Sequence, residues 1–422
     1  MTTRRHAPAA APAAALARAA PEAALARAAL AVAVAGICVA APAPAGAQQR
    51  CQDTALTGAD AAQSPTVAEH VLRFREAWPL ADGTGVTIAV IDTGVADHPR
   101  LGGVGDGGDV TGGGGAFVDC DAHGTLVAGL AAGRPGPDGF AGVAPGADVL
   151  SIRQTTRDTG DLSSLAVAVD RAVAEGARVI NISLTSCAPP GVPPPGAEDV
   201  TAAVIRAEEA GAVVVAASGN TGDGCPEGAA AWPALLDEVL AVSAIDAGVA
   251  LEAASGAGAQ SDEAVPAGYA ITADWVDVAA PGGPVLGPSP TGAGLVDLHV
   301  SSSNAMPIVG TSFAAPLVSG TAALVLSRNP SLPPVEVRRI ITATASPVAS
   351  TPGIGVGVID PVAAVAWAGA ADPGADSVAA PPPAPVAPDP APALRLRALF
   401  LVVGLIAVGA VFWSFGAAGR RR

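Results

Sequence analysis

Short unbroken runs of β-branched and small apolar residues recur through the middle of this chain, separated by segments of helical periodicity. The runs are 85–91, the stretch 143–152 that turns into a second strand, 179–184, 213–217, 239–245 and 276–278. Each is of strand length and lacks the polar alternation of a half-solvated strand, as expected where both faces are covered. Between them, 123–132, 162–175 and 200–210 place apolar residues at helical spacing. A long helix beginning at Ser312, a helix over 332–345 and a short one from Ile359-Asp360-Pro361 to about Trp367 follow. Strands that alternate with helices predict an α/β domain, a mostly parallel sheet with helices on both faces. Two expectations are local. Helical spacing over 67–78 precedes a turn at 81–85, and the Gly-rich stretch 102–115, which has no periodicity, reads as a mobile loop.

Half of the residues are apolar but only 3% are aromatic, so the core must be filled by Val, Ala, Leu and Ile. The net charge of −16, in a chain whose basic residues are all arginine, argues against a nucleic-acid partner and reads as a solubility device. An apolar run at 28–41 follows Arg27 and precedes Ala45-Gly46-Ala47, the pattern of a secretory signal ending near Ala47. At the other end, 398–419 is long enough to cross a bilayer as a helix, and Arg420-Arg421-Arg422 closes it. The resulting organisation is a signal over 1–47, an extension over 48–80, the α/β domain over 81–370, a Pro/Ala-rich spacer over 371–397, a single transmembrane helix over 398–419 and a cytoplasmic tail over 420–422. This is a type I protein with its domain outside the cytoplasm. The spacer, centred on Pro381-Pro382-Pro383, cannot bury a core and reaches about 75 Å when extended. Cys38 falls within the signal. Cys51, Cys120, Cys187 and Cys225 remain, an even number that permits three pairings, and their spacing matches no zinc site.

Three segments carry chemistry. Val90-Ile91-Asp92-Thr93-Gly94 ends a strand, Asp121-Ala122-His123-Gly124-Thr125 opens a helix, and Gly310-Thr311-Ser312-Phe313-Ala314-Ala315-Pro316 opens another. A serine hydroxyl is a weak nucleophile unless a base takes its proton as it attacks. Histidine supplies such a base, and a carboxylate fixes its tautomer. A helix start offers unpaired N–H groups to a developing oxyanion. Asn220, directly after the apolar strand 213–217, is placed to add a side-chain amide. Each residue also has a plainer reading. Ser312 alone is a helix N-cap, and Asp92-Thr93-Gly94 alone fits an aspartic protease, where two such carboxylates share a proton. His98, in Asp97-His98-Pro99, competes with His123 as the base, while His70 and His299 read as surface residues.

In the chain order Asp, His, Ser and in these contexts, the three segments resemble the subtilisin-like serine proteases. The resemblance implies a three-layer subtilisin-like fold, with Asp92, His123 and Ser312 as catalytic triad and Asn220 in the oxyanion hole. It also selects His123 over His98, because the family's histidine precedes Gly-Thr and opens a helix. Val179-Ile180-Asn181-Ile182-Ser183-Leu184 resembles the family strand whose edge pairs with substrate, which implies Ser183, Leu184 and Thr185 as substrate-binding residues. Subtilases often bind calcium. Asp106 and Asp109 lie in the Gly-rich stretch but read as a solvated loop, so no metal and no other cofactor is expected.

Within that family the chain is similar to the mycosins, membrane-anchored subtilases associated with type VII secretion. The similar stretches are Glu76-Ala77-Trp78, Asp119-Cys120-Asp121-Ala122-His123-Gly124-Thr125, 142–154, and 340–367 with Val358-Ile359-Asp360-Pro361. The loops 188–198 and 251–275 depart from the pattern. The likeness implies protein or peptide substrates, a type VII secretion membrane complex as partner, and a membrane contact through the C-terminal helix. Too little chain separates the cleavage site from the first strand to hold a folded prodomain. The extension 48–75 is therefore expected to be retained, pinned by a Cys51–Cys120 disulfide, with Cys187–Cys225 tying the substrate-wall loop to the loop after Asn220. Two roles follow: a serine endopeptidase acting on exported proteins, or a mainly architectural component of a secretion complex.

Overall fold

The structure, a computed structural model, describes residues 51–57, 66–156, 160–222, 224–246, 264–347 and 352–370. Its strands are β1 (Asp53–Ala55), β2 (Thr87–Asp92), β3 (Val104–Asp109), β4 (Asp148–Arg153), β5 (Val179–Ile182), β6 (Ser186–Ala188), β7 (Val213–Ala217), β8 (Ala230–Trp232), β9 (Val239–Ile245), β10 (Val278–Pro281), β11 (Gly287–Pro288), β12 (Leu295–Val296), β13 (Leu298–Val300) and β14 (Ala305–Pro307). The helices are α1 (Val67–Leu72), α2 (His123–Ala132), α3 (Leu162–Ala174), α4 (Ala197–Glu209), α5 (Thr311–Arg328), α6 (Pro334–Thr344) and α7 (Pro361–Ala370).

One sheet has the strand order β10-β9-β7-β5-β2-β4-β3, and every neighbouring pair in it is parallel. The pleat sends successive residues to opposite faces. From β2, Ile88 and Val90 enter a core shared with α2 and α5, whereas Ala89 and Ile91 enter a second core shared with α3 and α4. Both faces are covered, which is why the strands read as unbroken apolar runs. The chain runs from β2 to β3 and β4 on one side, then to β5, β7, β9 and β10 on the other. The order reverses at β2, and a crevice opens at the carboxyl ends of β2, β4 and β5, where sheets of this kind hold their sites.

Two local expectations are corrected. The helix expected over 67–78 is two pieces, because Arg73 adopts a left-handed conformation (φ 50°), ends α1 by donating its N–H to Glu69 O, and starts a 3-10 turn over Phe74–Ala77. The break lets Leu72, Phe74 and Ala77 all face the core. The stretch 102–115, expected as a mobile loop, contains β3, an edge strand paired with β4. Its glycines serve close approach: a Cβ on Gly107 would lie 2.4 Å from Ile152 Cγ1 and 2.8 Å from Ser151 O. With glycine at three of its six positions, the strand shows no periodicity to read.

Smaller sheets surround the crevice. β1 pairs antiparallel with β13, which pairs with β14, and β6 pairs with β8. Disulfides join Cys51 to Cys120 and Cys187 to Cys225. No helix among the described residues is long and apolar enough to cross a membrane. The expected signal, spacer and transmembrane helix over 398–419 lie outside the described residues.

Candidate active site

β2 ends at Asp92, which is fully buried at the switch point. Its Oδ1 accepts from Thr93 N at 2.7 Å and from His123 Nδ1 at 2.7 Å. With Nδ1–H donated to the carboxylate, Nε2 is left as the acceptor, the tautomer a general base requires. His123 is the first residue of α2. The helix can approach this closely because its second residue is Gly124, where a Cβ would lie 2.1 Å from Gly94 O. Burial by itself lowers the pKa of the imidazole, but the charge and hydrogen bond of Asp92, with Asp119 and Asp121 adding to them, hold it above the ordinary histidine value. A second Asp-Thr-Gly triplet begins at Asp158, which lies outside the described residues; the partner that Asp92 has here is a histidine.

Ser312 is the second residue of α5, and the ring of the following Phe313 packs against His123 with centroids 5.1 Å apart. Thr311 N and Thr311 Oγ1 each donate to Asn220 Oδ1 at 3.0 Å. A backbone N–H can only donate, so the amide oxygen of Asn220 must face the helix and its NH2 group is turned the other way. Gly219 N donates to Thr311 Oγ1 at 3.2 Å, fastening the end of β7 to the same turn. Tyr269 ties the pieces together: its OH donates to Gly282 O at 3.0 Å, Gly310 N donates to the same carbonyl at 2.8 Å, and Thr221 N donates to Tyr269 O at 2.7 Å. Burial pushes the Tyr269 phenol up to about 12.

The proline of the serine segment has a structural purpose. Pro316 lies inside α5 and has no N–H, so Ser312 O, four residues earlier, lacks its intrahelical donor. Ser183 Oγ supplies one at 2.7 Å, Asn181 Nδ2 donates to Ser183 Oγ at 2.9 Å, and Ser319 Oγ donates to Asn181 Oδ1 at 2.8 Å. β5 is thereby fixed to two turns of α5, and the Ser183 hydroxyl is engaged in holding the serine turn.

A cleft of about 510 Å³ is lined by Thr93, His123, Thr155, Thr156, Ser183, Leu184, Thr185, Asn220 and Ser312, together with Gln52, Asp121, Cys225 and His299. His123, Ser312, Asn220 and 183–185 thus share one cleft, with Asp92 buried directly behind His123. His98 takes no part. It is 1% exposed, its Nε2 donates to Gly294 O at 3.1 Å and its Nδ1 accepts from Arg100 N at 3.1 Å, so both nitrogens serve the fold. Burial lowers its pKa below the ordinary value. His70 is exposed, but His299, expected at the surface, is half-buried and lines the cleft because β13 carries it there beside β1.

Asp106 accepts from Gly108 N, and Asp109 accepts from Thr111 N, Thr111 Oγ1, Gly115 N and Arg153, which folds the Gly-rich loop around protein donors. Among the described residues no cluster of three or more His, Cys, Asp or Glu side chains is placed to hold a metal. Asn181, Ser319 and Tyr269 are not singled out as site residues by the sequence, since their partners lie in other segments. Asp119 and Thr125 fall within the stretch 119–125, but the link of Asp119 to Thr93 does not show there. The small polar residues inside the apolar runs 179–184 and 312–328 were the one available hint.

In comparison with known proteins, residues 83–372 match the peptidase S8, or subtilase, family. Mycosin-4 of Mycobacterium tuberculosis is 35% identical over 394 residues, covering 86% of this chain and 83% of that protein. The solved structure of the MycP3 protease from the type VII (ESX-3) secretion system is similar with a TM-score of 0.67 at 37% identity, covering 75% of this chain and 92% of that one. A chain of an intact ESX-5 inner membrane complex is similar with a TM-score of 0.66 at 32% identity, covering 87% and 94% respectively.

Proposed function

We propose that this chain, which belongs to the subtilase family of serine peptidases, is a membrane-anchored endopeptidase that cleaves exported proteins through Asp92, His123 and Ser312 in association with a type VII secretion system. The observation that carries the reading is the Asp92–His123 hydrogen bond at the mouth of the helix that begins Thr311-Ser312. Ser312 Oγ attacks the scissile carbonyl carbon while His123 Nε2 takes its proton, and Asp92 stabilises the imidazolium. The carbonyl oxygen becomes an oxyanion, met by the Asn220 NH2 group and by N–H groups of the first turn of α5. The C–N bond then breaks, His123 returns the proton to the leaving amine, and water hydrolyses the acyl-serine by the same relay. The backbone at 183–185 forms the wall along which substrate lies. No cofactor enters any step.

The setting is supported by likeness to mycosins and to a chain of an ESX-5 inner membrane complex, and the anchor by the apolar run 398–419. Ser312→Ala is expected to reduce peptide hydrolysis by this chain to background, and hydrolysis that persists in the variant contradicts the reading. The ESX-5 likeness also favours a second role as an architectural part of a secretion complex. Secretion that survives Ser312→Ala but fails on deletion of the gene makes that role dominant.

A further inference from the structure

Two buried carboxylates stand behind His123. Asp119 is 7% exposed, and four donors converge on it: Thr93 Oγ1 at 2.8 Å and Asp121 N at 3.2 Å on Oδ1, Thr125 N at 2.8 Å and Thr125 Oγ1 at 2.6 Å on Oδ2. Two of the four are backbone N–H groups, which can only donate, so both oxygens are set up as acceptors. The bond from Thr125 N also caps α2. The residue at the N-cap position, Ala122, is left-handed (φ 61°) and brings no side chain to the helix end. Asp119 accepts from the third helical residue in its place.

Thr93 connects this carboxylate to the proposed triad. Its hydroxyl proton has two possible acceptors, Asp119 Oδ1 at 2.8 Å and Asp92 Oδ1 at 3.2 Å, and the shorter contact assigns it to Asp119. Thr93 Oγ1 itself accepts at 3.0 Å from the N–H of Gly124, the residue after His123, while Thr93 N donates to Asp92. One side chain therefore touches the end of β2, the start of α2 and the second carboxylate. The charged groups facing His123 are Asp92 from β2 and Asp119 and Asp121 from the loop before α2. Phe313 of α5 packs on the His123 ring, Ser312 of α5 and His299 of β13 share the cleft with it, and no arginine is among the described residues lining that cleft.

We propose, on the basis of the triad reading above, that Asp119 is a positioning residue for the reaction: it draws the Thr93 hydroxyl proton away from Asp92, clamps β2 to α2, and adds a second negative charge behind the imidazolium formed during attack. Asp92 Oδ1 is thereby left to accept from Thr93 N and from His123 Nδ1. Burial pushes the Asp119 carboxyl up, against the pull of Thr125 and Thr93, and Asp92 pushes it the same way as burial, so the two carboxylates feel each other.

Asp119→Asn separates this role from simple support of the fold. The new amide can keep the Thr125 cap with its oxygen and donate from Nδ2 to Thr93 Oγ1, whose own proton then turns to Asp92; the longer bond from Asp121 N is lost. Lost charge behind His123 and a new donor on Asp92 both make the imidazolium easier to deprotonate. With this chain and a peptide substrate, Asp119→Asn is expected to move the acid limb of kcat/KM to lower pH and to lower kcat about 10-fold. Thr93→Ala removes the shared hydroxyl but leaves the Asp119 charge in place. It is expected to lower kcat without moving the limb to lower pH, and it serves equally if Asp119→Asn does not fold. An Asp119→Asn limb at the native position, kcat within twofold of native, or a Thr93→Ala limb displaced to lower pH overturns the proposal. Ser312-dependent hydrolysis by the native chain is a separate result, so the triad reading stands or falls independently.

Discussion

At His123 two opposed effects meet. Burial favours the neutral ring, while Asp92, Asp119 and Asp121 favour the cation, and the carboxylates prevail. The ring acts as a base only when neutral, so kcat/KM should rise with pH through a midpoint above the ~6.5 of an unperturbed imidazole. A pH–rate profile centred below that value contradicts the charge arrangement. Asn220→Ala removes a donor aimed at charge that exists only during the reaction, and should cost about 10²–10³-fold in kcat with KM little changed, measured by steady-state kinetics. Asp92, His123 and Ser312 stand out in the sequence because each sits at a strand end or helix start beside Gly and Thr. Asp119 and Asn181 do not: Asn181 takes its meaning from Ser319, 138 residues away, and a single chain of letters carries no distance of that kind. His299 was misplaced for the same reason, since only the pairing of β13 with β1 brings it to the cleft.

Between elements, the contact of β5 with α5 rests on an exchange of donors. Pro316 removes one from Ser312 O and Ser183 restores it. Ser183→Ala should therefore cost about 1–2 kcal/mol of stability in denaturant unfolding. In a Pro316→Ala background, where residue 316 again has an N–H, the same substitution should cost measurably less, and strict additivity of the two changes contradicts the exchange. Gly124→Ala forces a Cβ into Gly94 O and should lower both stability and turnover by separating α2 from β2. Strands covered on both faces were readable because burial leaves continuous apolar runs. β3 was not, because its glycines leave nothing to show which face is buried, and the break at Arg73 depends on a backbone conformation that arginine does not advertise.

On the scale of the whole molecule, the reversal of strand order at β2 decides where the cleft opens, and two disulfides secure its borders. They span 69 and 38 residues, and closing loops of that size in the unfolded chain is worth about 4 kcal/mol each by chain entropy. Cys51→Ser with Cys120→Ser should lower the unfolding temperature and release β1, read as new proteolysis within 51–57. An unchanged unfolding temperature contradicts that estimate. The parallel sheet and the helix-covered faces were legible from the alternation of segments alone, whereas the small sheets β1-β13-β14 and β6-β8 were not, each pairing being three residues long and those of β1 with β13 and β6 with β8 joining segments far apart in sequence. All of these parts converge on one serine at the start of a buried helix. A fluorophosphonate reacts with a serine whose proton a neighbouring base removes. Labelling the purified chain and locating the adduct by mass spectrometry should place it on Ser312, with the adduct lost in Ser312→Ala and strongly reduced in His123→Ala. A native chain that takes no label, or a label that persists in Ser312→Ala, would contradict the proposed nucleophile.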